Sequence, residues 1–166
     1  MPIVAAVTAA LALLFAAAMT GVFFAFSVSV MPGLDAVEPP LAVRSMQSFN
    51  VAIVNPAFLL AFLGLPVAAL ATGVLLILLG HRAAGVAFLA SGAVYALGAL
   101  LPTGAVNVPM NDTLAALGTP ESAARAAEAW ADYAPRWTRW NHVRAVVSGL
   151  SLLLAALGSW LWGRDR

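Results

Sequence analysis

The chain has 166 residues, 63% of them hydrophobic and only 9% charged, and its mean hydropathy is +0.95. That is more apolar surface than a soluble domain of this size can bury, so the composition points to a bilayer as the solvent. The formal net charge of +1 gives no reason to expect nucleic acid as a partner, and the absence of cysteine excludes disulfides and thiolate metal sites.

A helix needs about 20 apolar residues to cross a bilayer, and four stretches approach or exceed that length without a charge. They are roughly 3–30, 57–79, 83–101 and 145–162. The first lacks the basic start of a signal peptide, and its apolar run is about twice the usual length, so it is expected to be a retained anchor. Residues 31–56 follow, where Pro39 and Pro40 would open a short helix ending near Asn55 and Pro56. The turn "LGHRAAG", residues 79–85, is short enough to force the second and third spans into an antiparallel hairpin. In residues 102–140, Thr119, Pro120 and Glu121 read as N-cap, first helical position and dipole-matched acid of an alanine-rich helix reaching about Tyr133. Pro135 then either breaks that helix or begins the fourth.

The expected fold is therefore all-α: an integral membrane four-helix bundle forming a single domain over 1–166, with short amphipathic helices in its two long connections. Both long connections lie on one side of the bilayer, and the 79–85 turn and both termini lie on the other. Arg82, Arg164 and Arg166 fall on the termini side, against Arg44, Arg125, Arg136, Arg139 and Arg144 opposite, so a plain count favours termini outside. Setting Arg136, Arg139 and Arg144 aside as site or fold residues reverses that balance. The expectation is a bacterial cytoplasmic membrane with the termini in the cytoplasm, and the bilayer as a partner; assembly into a homo-oligomer stays open.

The stretch "RWTRWNHVRAVVS", residues 136–148, carries unusual polar chemistry to the mouth of the fourth span. Trp137, Trp140, Asn141, Arg144 and Ser148 share one helical face, and His142 points away from it by a quarter turn or more. Tryptophan and arginine are ordinary at a bilayer interface, but polar groups within a span usually face the bundle interior and need partners. Asn50, Asn55, Asn107 and Asn111 lie near span ends on the same side. Each alone is explained as a cap or turn former beside a proline. Together with Asn141 they point to a hydrogen-bonded network closing a cavity between the helices, as structural glue or as the wall of a binding site.

Other chemistries lack the residues they need. The only histidines, His81 and His142, fall on opposite faces of the membrane, so a di-metal or haem site is not expected, although His142 with an acid such as Asp112 stays open. No phosphate loop, nucleophile elbow or carboxylate pair appears within a span, and no acid lies inside one to carry ions or protons.

The segments "GVFFAFSVSVMPGL" (21–34), "MQSFNVAIVNPAF" (46–58), "VNVPMNDTL" (106–114) and "WTRWNHVRAVVS" (137–148) resemble, in order and spacing, the anthrone oxygenase-like family of four-helix membrane proteins. The resemblance implies oxidation of an anthrone-like polycyclic aromatic at its activated methylene by molecular oxygen, with no recognisable organic cofactor and a lipophilic small molecule as partner. It places Asn50, Asn55, Asn107, Asn111, Trp137 and Trp140 around the substrate and makes His142 the candidate base, with a nearby loop acid or water as the alternative. Arg144 and Asn141 would stabilise the enolate. No metal ligand is implied. The competing expectation is a non-enzymatic accessory subunit or lipophilic-ligand binder whose Asn, Arg and Trp network is structural.

Overall fold

The computed structural model describes residues 1–164, so Arg166 of the arginine count lies outside the described residues. Five helices make up the fold: α1 (Pro2–Asp35), α2 (Pro39–Ala52), α3 (Pro56–Leu78), α4 (Arg82–Ala116) and α5 (Ala123–Arg164). All but α2 are long and apolar enough to cross a bilayer, and each contains one of the four expected spans. The chain is an all-α integral membrane protein.

Start and stop signals set these limits. Pro39 and Pro40 open α2, and Asn55 caps α3 by accepting the Phe58 N–H at 3.0 Å. The α3–α4 turn closes on Gly80 at φ +91°, where His81 N–H reaches Leu76 O at 2.9 Å and Gly80 N–H reaches Ile77 O at 3.0 Å. This paired arrangement satisfies the last carbonyls of α3 and needs the left-handed backbone that glycine supplies without strain. The cap of α5 is Ser122, whose Oγ accepts the Arg125 N–H at 3.2 Å, three residues later than the Thr119 expected from the sequence.

The long connections are shorter than their composition implies. The helix α1 runs through Pro32 to Asp35, and α4 runs through Pro102 and Pro109 to Ala116. The alanine-rich segment is not a separate helix: α5 continues through Pro135 for 42 residues. At about 1.5 Å per residue, α5 is roughly 63 Å long, about twice the bilayer core. It therefore projects well beyond the membrane.

Three of these prolines are accommodated in one way. The π-helical segments Phe26–Val30, Ala96–Leu100 and Thr103–Asn107 each end with an N–H reaching back five residues: Met31 to Phe26 O, Leu101 to Ala96 O and Val108 to Thr103 O. Each donor directly precedes a proline, Pro32, Pro102 or Pro109. A proline cannot donate to the carbonyl four residues back, and its ring collides with that group; the wider turn relieves both problems without ending the helix.

Apolar packing falls into three layers. Ala5, Ala9, Ala12, Phe88, Ala155 and Trp162 belong to the layer nearest the termini, and Met19, Phe23, Phe62, Leu65 and Tyr95 to the middle one. The third layer joins Met31 and Leu34 of α1, Val43 and Met46 of α2, Leu114 of α4, and Trp130, Tyr133 and Trp137 of α5. It ties α2 to the projecting ends of the long helices. Gln47 adds bonds to Leu114 O at 2.8 Å and Gly118 O at 2.9 Å, and Trp130 donates to Asp35 at 2.9 Å. Arg144 is buried within the bundle, whereas Arg136 and Arg139 are exposed on the long-connection side. Only Arg144 is therefore withdrawn from an interfacial arginine count.

In the membrane, where apolar burial does not drive helices together, close approach does. Ser91 and Ser151 bridge α4 and α5 reciprocally, each Oγ donating to the other's carbonyl at 2.8 and 3.0 Å. Between α3 and α4, a Cβ on Gly85 would sit 2.6 Å from the Gly73 carbonyl oxygen. Gly85→Ala is accordingly expected to destabilise the bundle by about 1–3 kcal/mol, the usual cost of overpacking. Gly21→Ala, which meets nothing within 4 Å, should be neutral or stabilising. Thermal unfolding of both variants in detergent checks the contrast.

Candidate functional site

The site is built on α5. Its inward residues Trp130, Tyr133, Trp137, Asn141, Arg144, Ser148, Ser151, Ala155, Gly158 and Trp162 recur at steps of three or four. That is the seam period of packed helices. Its middle carries the polar groups, at the level where α1 and α4 take their π turns.

Asn141 is completely buried. Its Nδ2 donates to Phe23 O and Ser27 Oγ of α1, both at 2.8 Å, and its Oδ1 accepts from Arg144 Nη2 at 3.0 Å. One amide thus fastens α5 to α1 and aims the guanidinium. Arg144, 5% exposed, donates a second bond from Nη1 to Thr103 Oγ1 at 3.2 Å. Its guanidinium carbon lies 4.7 Å from the centroid of the Phe23 ring and 5.1 Å from that of Trp137. Among the described residues no carboxylate pairs with it, and Nε has no partner. Neutral acceptors and aromatic faces offset only part of the cost of burying such a charge.

A second cluster lies one to two turns outward. Asn111 Oδ1 accepts from Tyr133 Oη at 2.7 Å and from Trp137 Nε1 at 3.0 Å, while Asn50 Nδ2 reaches Tyr133 Oη at 3.5 Å. Asn107, on the π turn of α4, is 1% exposed, and neither its Oδ1 nor its Nδ2 has a partner.

Asn50, Asn107, Asn111, Trp137, Asn141 and Arg144 line one cavity of about 300 Å³. Its walls are aromatic: Phe23, Phe26, Phe49, Phe58 and Phe62, five of the chain's eight phenylalanines, complete the lining with Val22, Ile53 and their neighbours. Phe26 packs on Trp137 with centroids 5.7 Å apart, and Phe58 stacks on Phe62 at 5.3 Å. The cavity reaches the surface at the α2–α3 corner, where the lining residues Val54, Phe49 and Leu59 are 65%, 40% and 37% exposed. A larger hollow of about 520 Å³ opens between the ends of α4 and α5. Its charged residues Arg125, Glu128, Asp132 and Arg136 are all exposed, and Arg125 and Glu128 pair with each other at 2.6 Å. Solvated and self-paired charges ask for no ligand, whereas buried, unpartnered polar atoms in an apolar cavity do.

The sequence-level residues divide accordingly. Asn50, Asn107, Asn111, Trp137, Asn141 and Arg144 converge. His142 does not join them: it is exposed and absent from the cavity lining, because the residue after a seam position turns outward. Trp140 is half-buried but also outside the lining. Asn55 is an exposed helix cap, bonded to Phe58 N–H and to Ala52 O at 3.0 Å. Tyr133, Thr103, Ser27 and the phenylalanines of α1 were not singled out from the sequence. Tyr133 could have been, since it lies four residues before Trp137 on the same stripe. Among the described residues, no three His, Asp or Glu side chains gather to hold a metal ion.

Replacing Asn141 by Leu would leave the Phe23 carbonyl, Ser27 and one Arg144 nitrogen short of a partner. At about 1–3 kcal/mol for each buried group, the expected loss is roughly 3 kcal/mol or more. Asn55→Ala removes a solvated cap and should cost about 1 kcal/mol. Thermal denaturation in detergent ranks the two.

The family profile for anthrone oxygenase matches residues 57–154, a segment running from the start of α3 through most of α5. No curated protein and no solved structure matches the chain. The matched segment includes Thr103, Asn107, Asn111, Trp137, Asn141 and Arg144 and covers more than half of the chain, which therefore belongs to the anthrone oxygenase family.

Proposed function

We propose that this protein is a membrane oxygenase that oxidises a lipophilic polycyclic aromatic, anthrone-like substrate with molecular oxygen in the cavity between its helices. The observation that carries the reading is the pairing of aromatic walls with buried polar atoms that have no partner, Asn107 Oδ1 and Nδ2 and Arg144 Nε. Unpaired polar groups are costly in such a place, and a bound ligand that satisfies them repays the cost. A flat aromatic body fits between Trp137 and the phenylalanines, and the apolar opening at the α2–α3 corner suits a substrate arriving from lipid.

In this reading the substrate gives up a methylene proton to water before it enters, so that it is held as an enolate, and the electron-rich ring system passes electrons to oxygen. One oxygen atom ends as the new carbonyl, and the other leaves as water with the two methylene hydrogens. Arg144 Nε–H and Asn107 Nδ2–H stabilise the oxyanion, and Asn141 positions Arg144. The reaction needs no organic cofactor, and molecular oxygen is the co-substrate. His142 has no part in it.

Oxygen uptake by the purified protein in detergent, with an anthrone supplied, tests the reading. Wild type should exceed the spontaneous rate. Asn107→Leu should lower the enzymatic rate by about 10²-fold, the size of a lost oxyanion donor, and His142→Ala should leave it unchanged. Uptake at the spontaneous rate by the folded wild type would overturn the proposal.

A further inference from the structure

Resting on the cavity being a ligand site, we infer that it takes its aromatic ligand as an oxyanion already formed, a phenolate or enolate, with Arg144 as the only counter-ion. The ionisable groups around it show why. Among the described residues, Arg144 is the one ionisable side chain lining the cavity; α1, α2 and α3 contribute none. The phenols nearest to hand, Tyr95 of α4 and Tyr133 of α5, are neutral donors rather than bases, and Tyr133 already gives its proton to Asn111. Each acid among the described residues is elsewhere: Asp35 holds the Trp130 indole, and Glu38, Asp112, Glu121, Glu128 and Asp132 are exposed and outside the lining. His81 sits at the far end of the bundle beside Trp162, 6.3 Å between ring centroids. No group in the cavity is therefore placed to take the ligand's proton.

The charge balance points the same way. Arg144 is held by Asn141 and Thr103, neutral acceptors, and by the faces of Phe23 and Trp137. These hold a guanidinium in place but leave its positive charge uncancelled, with Nε–H free to donate. An oxyanion on that nitrogen supplies both the missing acceptor and the missing charge. Asn107 Nδ2–H adds a second donor, and its Oδ1 accepts from a neighbouring hydroxyl of the ligand. A guanidinium stays charged throughout the working range, so the pH dependence belongs to the ligand. Binding strengthens as pH rises through the ligand's own pKa and is weak below it.

Two probes without an activated methylene separate this from turnover: 2-anthracenecarboxylate, whose carboxylate stands in for the oxyanion, and its neutral analogue 2-anthracenemethanol. Binding is read by quenching of tryptophan fluorescence in detergent. Wild type should prefer the anion by about 10- to 100-fold, the range of a charge-assisted hydrogen bond, and Arg144→Gln should abolish the preference. A wild-type measurement with 2-naphthol covers the case in which that variant does not fold: its affinity should rise with pH through the naphthol's own ionisation. Equal affinities for the two anthracenes, a preference retained in folded Arg144→Gln, or a pH-independent naphthol affinity would each overturn the inference. Anion preference without oxygen uptake from an anthrone would remove the oxygenase reading and leave the anion site. Uptake without anion preference would do the reverse.

Discussion

A buried guanidinium without a carboxylate is the constraint around which this bundle is arranged. Arg144 is buried inside the bundle, so its charge has to be managed by what surrounds it. The arrangement is specific: an amide on the preceding turn of the same helix, a hydroxyl from α4 and two aromatic faces. Asn141 in turn has to be satisfied, and it reaches across to a backbone carbonyl and a serine of α1. Burial of one arginine thus fixes the relation of three helices.

The π turns belong to the same arrangement. Phe26–Val30 follows closely on the Phe23 carbonyl that Asn141 uses, and Thr103–Asn107 presents Thr103 to Arg144 and Asn107 to the cavity. A regular α-helix would place those two residues at a different angle, and a helix broken at its prolines would not reach them. The wider turn allows the spans to continue past Pro32, Pro102 and Pro109 and so to build the layer beyond the membrane in which α2 docks. The cavity occupies the junction of that layer with the middle of the bundle.

Much of this is legible in the sequence, and the misjudged helix lengths have a cause of their own. The four spans, the tight α3–α4 hairpin, the short helix α2 and the gathering of asparagines with Trp137 and Arg144 on one side all follow from hydropathy, turn chemistry and helical spacing. Taking prolines as boundaries cuts α4 and α5 short and ends the α5 stripe at Trp137, before it reaches Tyr133 and Trp130. A helix that absorbs a proline by widening one turn leaves no mark in composition, so the outer part of α4 looks like a loop, while α5 passes Pro135 with no widened turn and joins the expected alanine-rich helix to the fourth span. His142 was attractive for its chemistry, but its neighbours Asn141 and Arg144 hold the inward phase and turn it outward. Asn55 shows the limit of counting residue types: beside Pro56 it had a sufficient role as a cap, and that is the role it has.

The cavity has two halves of different origin. Its polar half, Thr103, Asn107, Asn111, Trp137, Asn141 and Arg144, comes from α4 and α5 and lies within the segment shared with the anthrone oxygenase family. Much of its apolar half, Val22, Phe23, Phe26, Phe49 and Ile53, comes from α1, α2 and the residue that caps α2, outside that segment. The division is not complete, because Phe23 also faces Arg144 and Asn50 joins the outer hydrogen bonds. Yet the groups able to meet charge stand on two long helices locked by the Ser91–Ser151 bridge, while the walls that set shape stand partly on α2, held by one apolar layer and a glutamine. Precise donors on a rigid pair and walls on a lighter element let the shape of the accepted ring system vary without disturbing the charge that meets it.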